Sequence, residues 1–90
     1  MYNIEYTGIF KRDYKVVLKR KYKEQLLQNI IVLLVNGTPL PAKNKPHKLI
    51  GDYKDCWECH IQPDWLLIWQ INMNSNTLIL IRTGTHSDLF

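Results

Sequence analysis

Long apolar runs are missing from this chain. The longest, Ile30-Ile31-Val32-Leu33-Leu34-Val35 and Trp65-Leu66-Leu67-Ile68-Trp69, fall far short of the roughly 20 residues a membrane helix requires. The opening residues, Met1-Tyr2-Asn3-Ile4-Glu5, carry neither the basic start nor the apolar core of an export signal. A cytosolic protein without a membrane partner is expected. Internal repeats and low-complexity stretches are absent as well. At 46% hydrophobic residues the composition excludes a disordered chain, and ninety residues fit one domain, 1–90.

Cysteine is scarce: there are two. Cys56-Trp57-Glu58-Cys59-His60 matches the spacing of c-type haem attachment and of redox pairs. In an extended strand, however, positions i and i+3 point to opposite faces, with Cα atoms about 10 Å apart, too far for a disulfide. A single pair is also a poor zinc site. No metal and no cofactor is expected. Cys59 reads as a small buried residue, leaving Cys56, Glu58 and His60 on the opposite face.

Acidic residues are few in the first part of the chain. Met1 to Lys54 holds eleven Lys/Arg against four Asp/Glu, a balance of +7, whereas Asp55 to Phe90 balances to −3. A basic front half is the electrostatic footprint of a nucleic-acid binder.

Tyr2 to Tyr6 alternates as a short strand. Thr7 or Gly8 opens a helix with Phe10, Tyr14, Val17 and Leu18 on one side and Lys11, Arg12, Lys15, Lys19 and Arg20 on the rest. A second helix spans about Lys23 to Val35, with Leu26, Leu27, Ile30, Ile31 and Leu34 as its stripe and Gly37 as a left-handed cap. Three of the four prolines fall between Thr38 and Pro46, a loop. After a short strand at Lys48-Leu49-Ile50 come three better ones, Cys56–Ile61, Trp65–Ile71 and Thr77–Thr83. Their short connections demand antiparallel neighbours. The fold class is α+β, with the helices covering one sheet face and the other left open for ligand. The residues after Thr83 read as a polar loop.

The ionisable groups that such a sheet can gather are His47, His60, Asp64, Arg82 and His86. They supply proton-transfer groups near neutral pH and a cation for a phosphate. Trp65, Tyr53 and Phe90 can stack on bases, although Trp65 and Trp69 share a side and at least one belongs to the core. RNA brings its own nucleophile, the 2′-OH, so this set suits metal-free cleavage of RNA.

Three blocks carry a family likeness: Pro46-His47-Lys48-Leu49-Ile50-Gly51, Glu58 through Ile68, and Ile81 through Phe90. The chain resembles the YafQ branch of the RelE/ParE toxin superfamily over essentially its whole length. The resemblance implies a RelE-like fold and a type II toxin–antitoxin toxin, an mRNA interferase that cuts mRNA in the ribosomal A site. It implies His86 as general acid, Arg82 as phosphate clamp, Asp64 or His60 as base, and His47 as phosphate-binding or orienting group. Phe90 and Trp65 would position nucleotides. Pro46 departs from the pattern, where an Asp often precedes the His. The Lys-rich helices, through Lys11, Arg12, Lys15, Lys19 and Arg20, would grip ribosomal RNA. A cognate antitoxin would wrap this surface, and the pair would bind promoter DNA mainly through the antitoxin. The alternative on the same scaffold is a ParE-like, non-catalytic inhibitor of DNA gyrase, which has no need of the His60, Asp64, Arg82 and His86 set.

Overall fold

A computed structural model describes residues 1–90. Strand β1 (Asn3–Tyr6) leads into helices α1 (Gly8–Lys19) and α2 (Glu24–Val35). A two-residue strand β2 (His47–Lys48), the strands β3 (Trp57–Gln62), β4 (Trp65–Asn72) and β5 (Thr77–Gly84), and a one-turn helix α3 (His86–Leu89) follow. The strands form one sheet in the order β1-β5-β4-β3-β2. All neighbours are antiparallel except β1, which lies parallel to β5. The amino-terminal strand is thus a member of the sheet, and the helix pair carries the chain from this edge to β2 at the opposite edge.

Local chemistry sets the helix ends. The Thr7 hydroxyl accepts the Phe10 N–H at 2.9 Å and donates to the Ile81 carbonyl at 2.8 Å, so one residue caps α1 and ties it to β5. After α2, Gly37 takes φ +68°. Its N–H reaches the Leu34 carbonyl, and the Thr38 N–H reaches that of Leu33, closing the helix as the sequence suggested.

Phe10 and Val17 of α1 and Leu27, Ile30, Ile31 and Leu34 of α2 pack with Cys59, Trp65, Leu67, Trp69, Leu78 and Leu80. The other sheet face is not left open. A second cluster there joins Cys56, Leu66, Ile68 and Leu89, flanked by Leu49, Tyr53 and Ile81. The chain's last helix covers the middle of the face that the strand pattern left bare. Central β4 is therefore buried on both faces from Trp65 to Trp69.

The polar loop expected after Thr83 is in fact helical. The Thr85 hydroxyl accepts the Asp88 N–H while the Asp88 carboxylate accepts the Thr85 N–H, a complete capping box. Two β-bulges lie in the same region. Ile61 has no partner between the pairs His60↔Leu66 and Gln62↔Trp65. Ile81 has none between Ile68↔Arg82 and Trp69↔Leu80. Strict alternation from Leu78 and Leu80 would send Arg82 to the helix-covered face. The extra residue puts it opposite Ile68, on the α3 side instead.

Candidate functional site

Three imidazoles form a row at the rim of the α3-side face. The ring centroids of His47 and His60 are 6.4 Å apart, and those of His60 and His86 are 5.7 Å apart. They come from β2, β3 and the first turn of α3.

Each ring is oriented by a fixed acceptor. In His47, Nδ1 lies 2.8 Å from the Lys45 carbonyl, and Nε2 lies 3.3 Å from a carboxylate oxygen of Glu58, its partner across the β2–β3 ladder. Support for His47 thus comes from a backbone carbonyl and Glu58, in place of the side chain that Pro46 lacks. In His60, Nδ1 lies 3.2 Å from the Pro63 carbonyl. A carbonyl can only accept, so Nδ1 carries a hydrogen, and Nε2 has no partner within the protein. The His60 carbonyl accepts from the Asn44 side-chain amide at 2.7 Å, which ties the 3₁₀ turn Ala42–Asn44 to β3. In His86, Nδ1–H donates to Asp64 Oδ1 at 2.6 Å, and the same oxygen accepts the His86 backbone N–H at 2.9 Å. These bonds, the backbone one first, hold the Asp64 carboxyl below its ordinary range.

Asp64 therefore orients His86. His60 Nε2 and His86 Nε2 have no partner within the protein.

Arg82 does not stand free beside the row. Its Nε and Nη2 donate to Asp13 at 3.0 and 2.9 Å, and Asp13 also accepts the Thr83 N–H at 3.3 Å. It makes no hydrogen bond with any histidine. Trp65 offers no face to a nucleotide. It is 1% exposed, its indole N–H donates to the Thr83 hydroxyl at 2.9 Å, and Tyr22 meets its ring edge-on at 5.0 Å. Its membership of the apolar core corrects the stacking role. Phe90, 65% exposed, and Tyr53 meet edge-on at 5.7 Å and can present an aromatic surface.

On α1, Lys11, Arg12, Lys15 and Lys19 are exposed. Lys11 and Lys15 edge a cleft of about 450 Å³ floored by Tyr6, Phe10, Tyr14 and Ile31. Arg20 is committed elsewhere. Its guanidinium holds Asp88 at 2.6 and 3.0 Å, and this ion pair pushes the Asp88 carboxyl well below the usual range. Arg20, expected among the RNA-gripping cations, is exposed like them and in addition holds this carboxylate within the molecule.

Cys56 and Cys59 are both buried free thiols on opposite faces of the sheet. Burial pushes the Cys59 thiol up to about 12, leaving it inert. No group of three or more His, Cys, Asp or Glu side chains is placed to hold a metal ion. No helix is long and apolar enough to cross a membrane.

Asp13, Asn44, Glu58 and Asp88 were assigned no part from the sequence. Thr85-x-x-Asp88 is a readable capping signal, but nothing local marks Asp13 as the partner of Arg82.

A family model describing bacterial toxins of type II toxin–antitoxin systems, YafQ, matches residues 2–90. The mRNA interferase toxin YafQ of Escherichia coli K12 is 40% identical over 89 residues, covering 98% of this chain and 95% of that protein. A metal-bound toxin from Helicobacter pylori superposes with a TM-score of 0.94 at 42% identity, over all of both chains. A chain of the E. coli DinJ–YafQ complex superposes with a TM-score of 0.91 at 38% identity, over 100% of this chain and 99% of that one. The architecture is that of a small RelE-like toxin. The chain belongs to the YafQ family of type II toxin–antitoxin toxins.

Proposed function

We propose that this chain is an endoribonuclease that cuts mRNA in the ribosomal A site by metal-independent transesterification. The observation that carries this reading is the pair of rings 5.7 Å apart, His60 with a free Nε2 and His86 backed by Asp64. His60 takes the proton of the 2′-OH. The 2′-oxygen attacks phosphorus in line with the 5′-oxygen, forming one P–O bond as the other breaks. Protonated His86, its charge balanced by Asp64, gives a proton to the departing 5′-oxygen. The products are a 2′,3′-cyclic phosphate and a 5′-hydroxyl, and solvent returns the two histidines to their starting states. His47, held beside Glu58, binds the phosphate. Phe90 and Tyr53 position the nucleotides. Acid and base each contribute about 10²–10⁴-fold, and alignment of the 2′-oxygen supplies much of the rest.

The exposed cations Lys11, Arg12, Lys15 and Lys19 support docking on ribosomal RNA. A cognate antitoxin completes the system, as the DinJ–YafQ complex of the relative suggests. The joint complex binds promoter DNA mainly through the antitoxin.

Primer extension on mRNA, with and without ribosomes, tests the reading. Cuts are expected only with ribosomes, and His86→Ala and His60→Ala should abolish them. Intact mRNA together with loss of gyrase supercoiling would replace this reading with the gyrase inhibitor.

A further inference from the structure

Asp13 of α1 and Arg20, the residue capping its carboxy-terminal end, are seven residues apart and so on one face. Both reach the same terminal segment. Asp13 accepts from Arg82 and from the Thr83 N–H, and Arg20 donates twice to Asp88. Asp88 passes the constraint on by accepting the Thr85 N–H at 2.8 Å, one residue before His86. This brace acts where the sheet offers none. Pairing of β1 with β5 stops at Leu80, and beyond it the β5 edge is flanked by Thr7, which bonds the Ile81 carbonyl, and by α1, whose Asp13 accepts the Thr83 N–H.

We propose that Asp13, Arg20 and Asp88 are positioning residues, which fix the segment Arg82–Phe90 on α1 and so set His86 for proton transfer. This rests on the reading of His86 as general acid. The same helix bears the exposed docking cations, so one rigid element places both the ribosome contact and the reacting imidazole. Arg20 differs from its neighbours in kind: Lys19 contacts the ribosome, whereas Arg20 acts through Asp88 on His86.

Kinetics separate the two roles. Losing a docking cation raises KM and flattens the salt dependence, whereas losing a brace misplaces an otherwise intact general acid and lowers kcat. Ribosome-dependent cleavage is measured for Arg20→Ala, Arg20→Lys and Lys19→Ala. Arg20→Ala is expected to lower kcat roughly tenfold with KM and salt slope near those of the parent. Arg20→Lys should recover part of the loss, and Lys19→Ala should raise KM. Amide hydrogen exchange on the purified protein gives a readout free of activity. In Arg20→Ala the Thr85 and His86 amides should exchange about tenfold faster while Leu67 in β4 keeps its rate. A raised KM with unchanged kcat, or unchanged exchange at Thr85 and His86, overturns the brace. His86→Ala cutting at the parent rate would instead remove the proton-transfer reading itself, and with it the purpose assigned to the brace.

Discussion

One nitrogen in each of His60 and His86 is held by a fixed acceptor, and the other has no partner within the protein. The two rings should therefore respond differently to loss of their partners. Asp64→Asn keeps an oxygen able to accept from Nδ1 but removes the charge that balances imidazolium. It should lower kcat by about 10–10²-fold with little change in KM, measured on ribosome-bound mRNA. Because the Asp64 carboxyl is already held below 3.8, it stays ionised throughout neutral and mildly acidic pH. The pH profile of the parent between about pH 5 and 9 should accordingly show no step from Asp64. Trp65 makes a contrasting case. Trp65→Phe loses a buried hydrogen bond and part of a packed ring, so it should cost about 2 kcal/mol in urea unfolding. Activity per folded molecule should stay near that of the parent. A selective loss of activity without destabilisation would restore Trp65 to the substrate site.

Among the elements, the helices and the three long strands were readable because each has a clean period. Apolar residues recur at helical spacing in Leu27, Ile30, Ile31 and Leu34, and the turn residues around Pro63 and Asn74 end the strands. For the same reason His60 and Asp64 could be placed on either side of the turn at Pro63. The partners that orient them escaped notice because they are set by register and bulges. Glu58 faces His47 only because β2 pairs with β3. Arg82 meets Asp13 across 69 positions of sequence, with the Ile81 bulge deciding its face. Helix α3 was missed because four residues are too few to show a period, although its capping box was present. Gly84 offers a direct test of how closely that helix is seated. It takes φ +157°, and a Cβ there would sit 2.8 Å from Asp88 Oδ2 and 2.9 Å from Asp88 Cβ. Gly84→Ala should push Asp88 off Thr85 and Arg20. About 1–3 kcal/mol of stability should go, together with most of the cleavage activity. An alanine variant as stable and active as the parent would mean the close approach is dispensable.

For the whole molecule, charge and acidity act together. The basic front half gives +7, and removing Lys11, Arg12, Lys15 and Lys19 together should weaken ribosome association and flatten its dependence on salt. A binding titration across salt concentrations checks this. Acid should act on the carboxy-terminal turn, through Asp88. The Asp88 carboxyl is depressed in the folded state, so its stabilising effect is complete above its unfolded value near 3.8 and is lost as pH falls through the lower folded value. The carboxy-terminal turn should therefore stay seated at mildly acidic pH and come loose only below about 3.8, seen as loss of the contact between Tyr53 and Phe90 in NMR spectra.

The parallel pairing of β1 with β5 joins the first strand synthesised to one of the last. Until β5 has been made, the amino-terminal strand has no partner and the sheet stays incomplete. Chains truncated before Thr77 should accordingly remain open to protease.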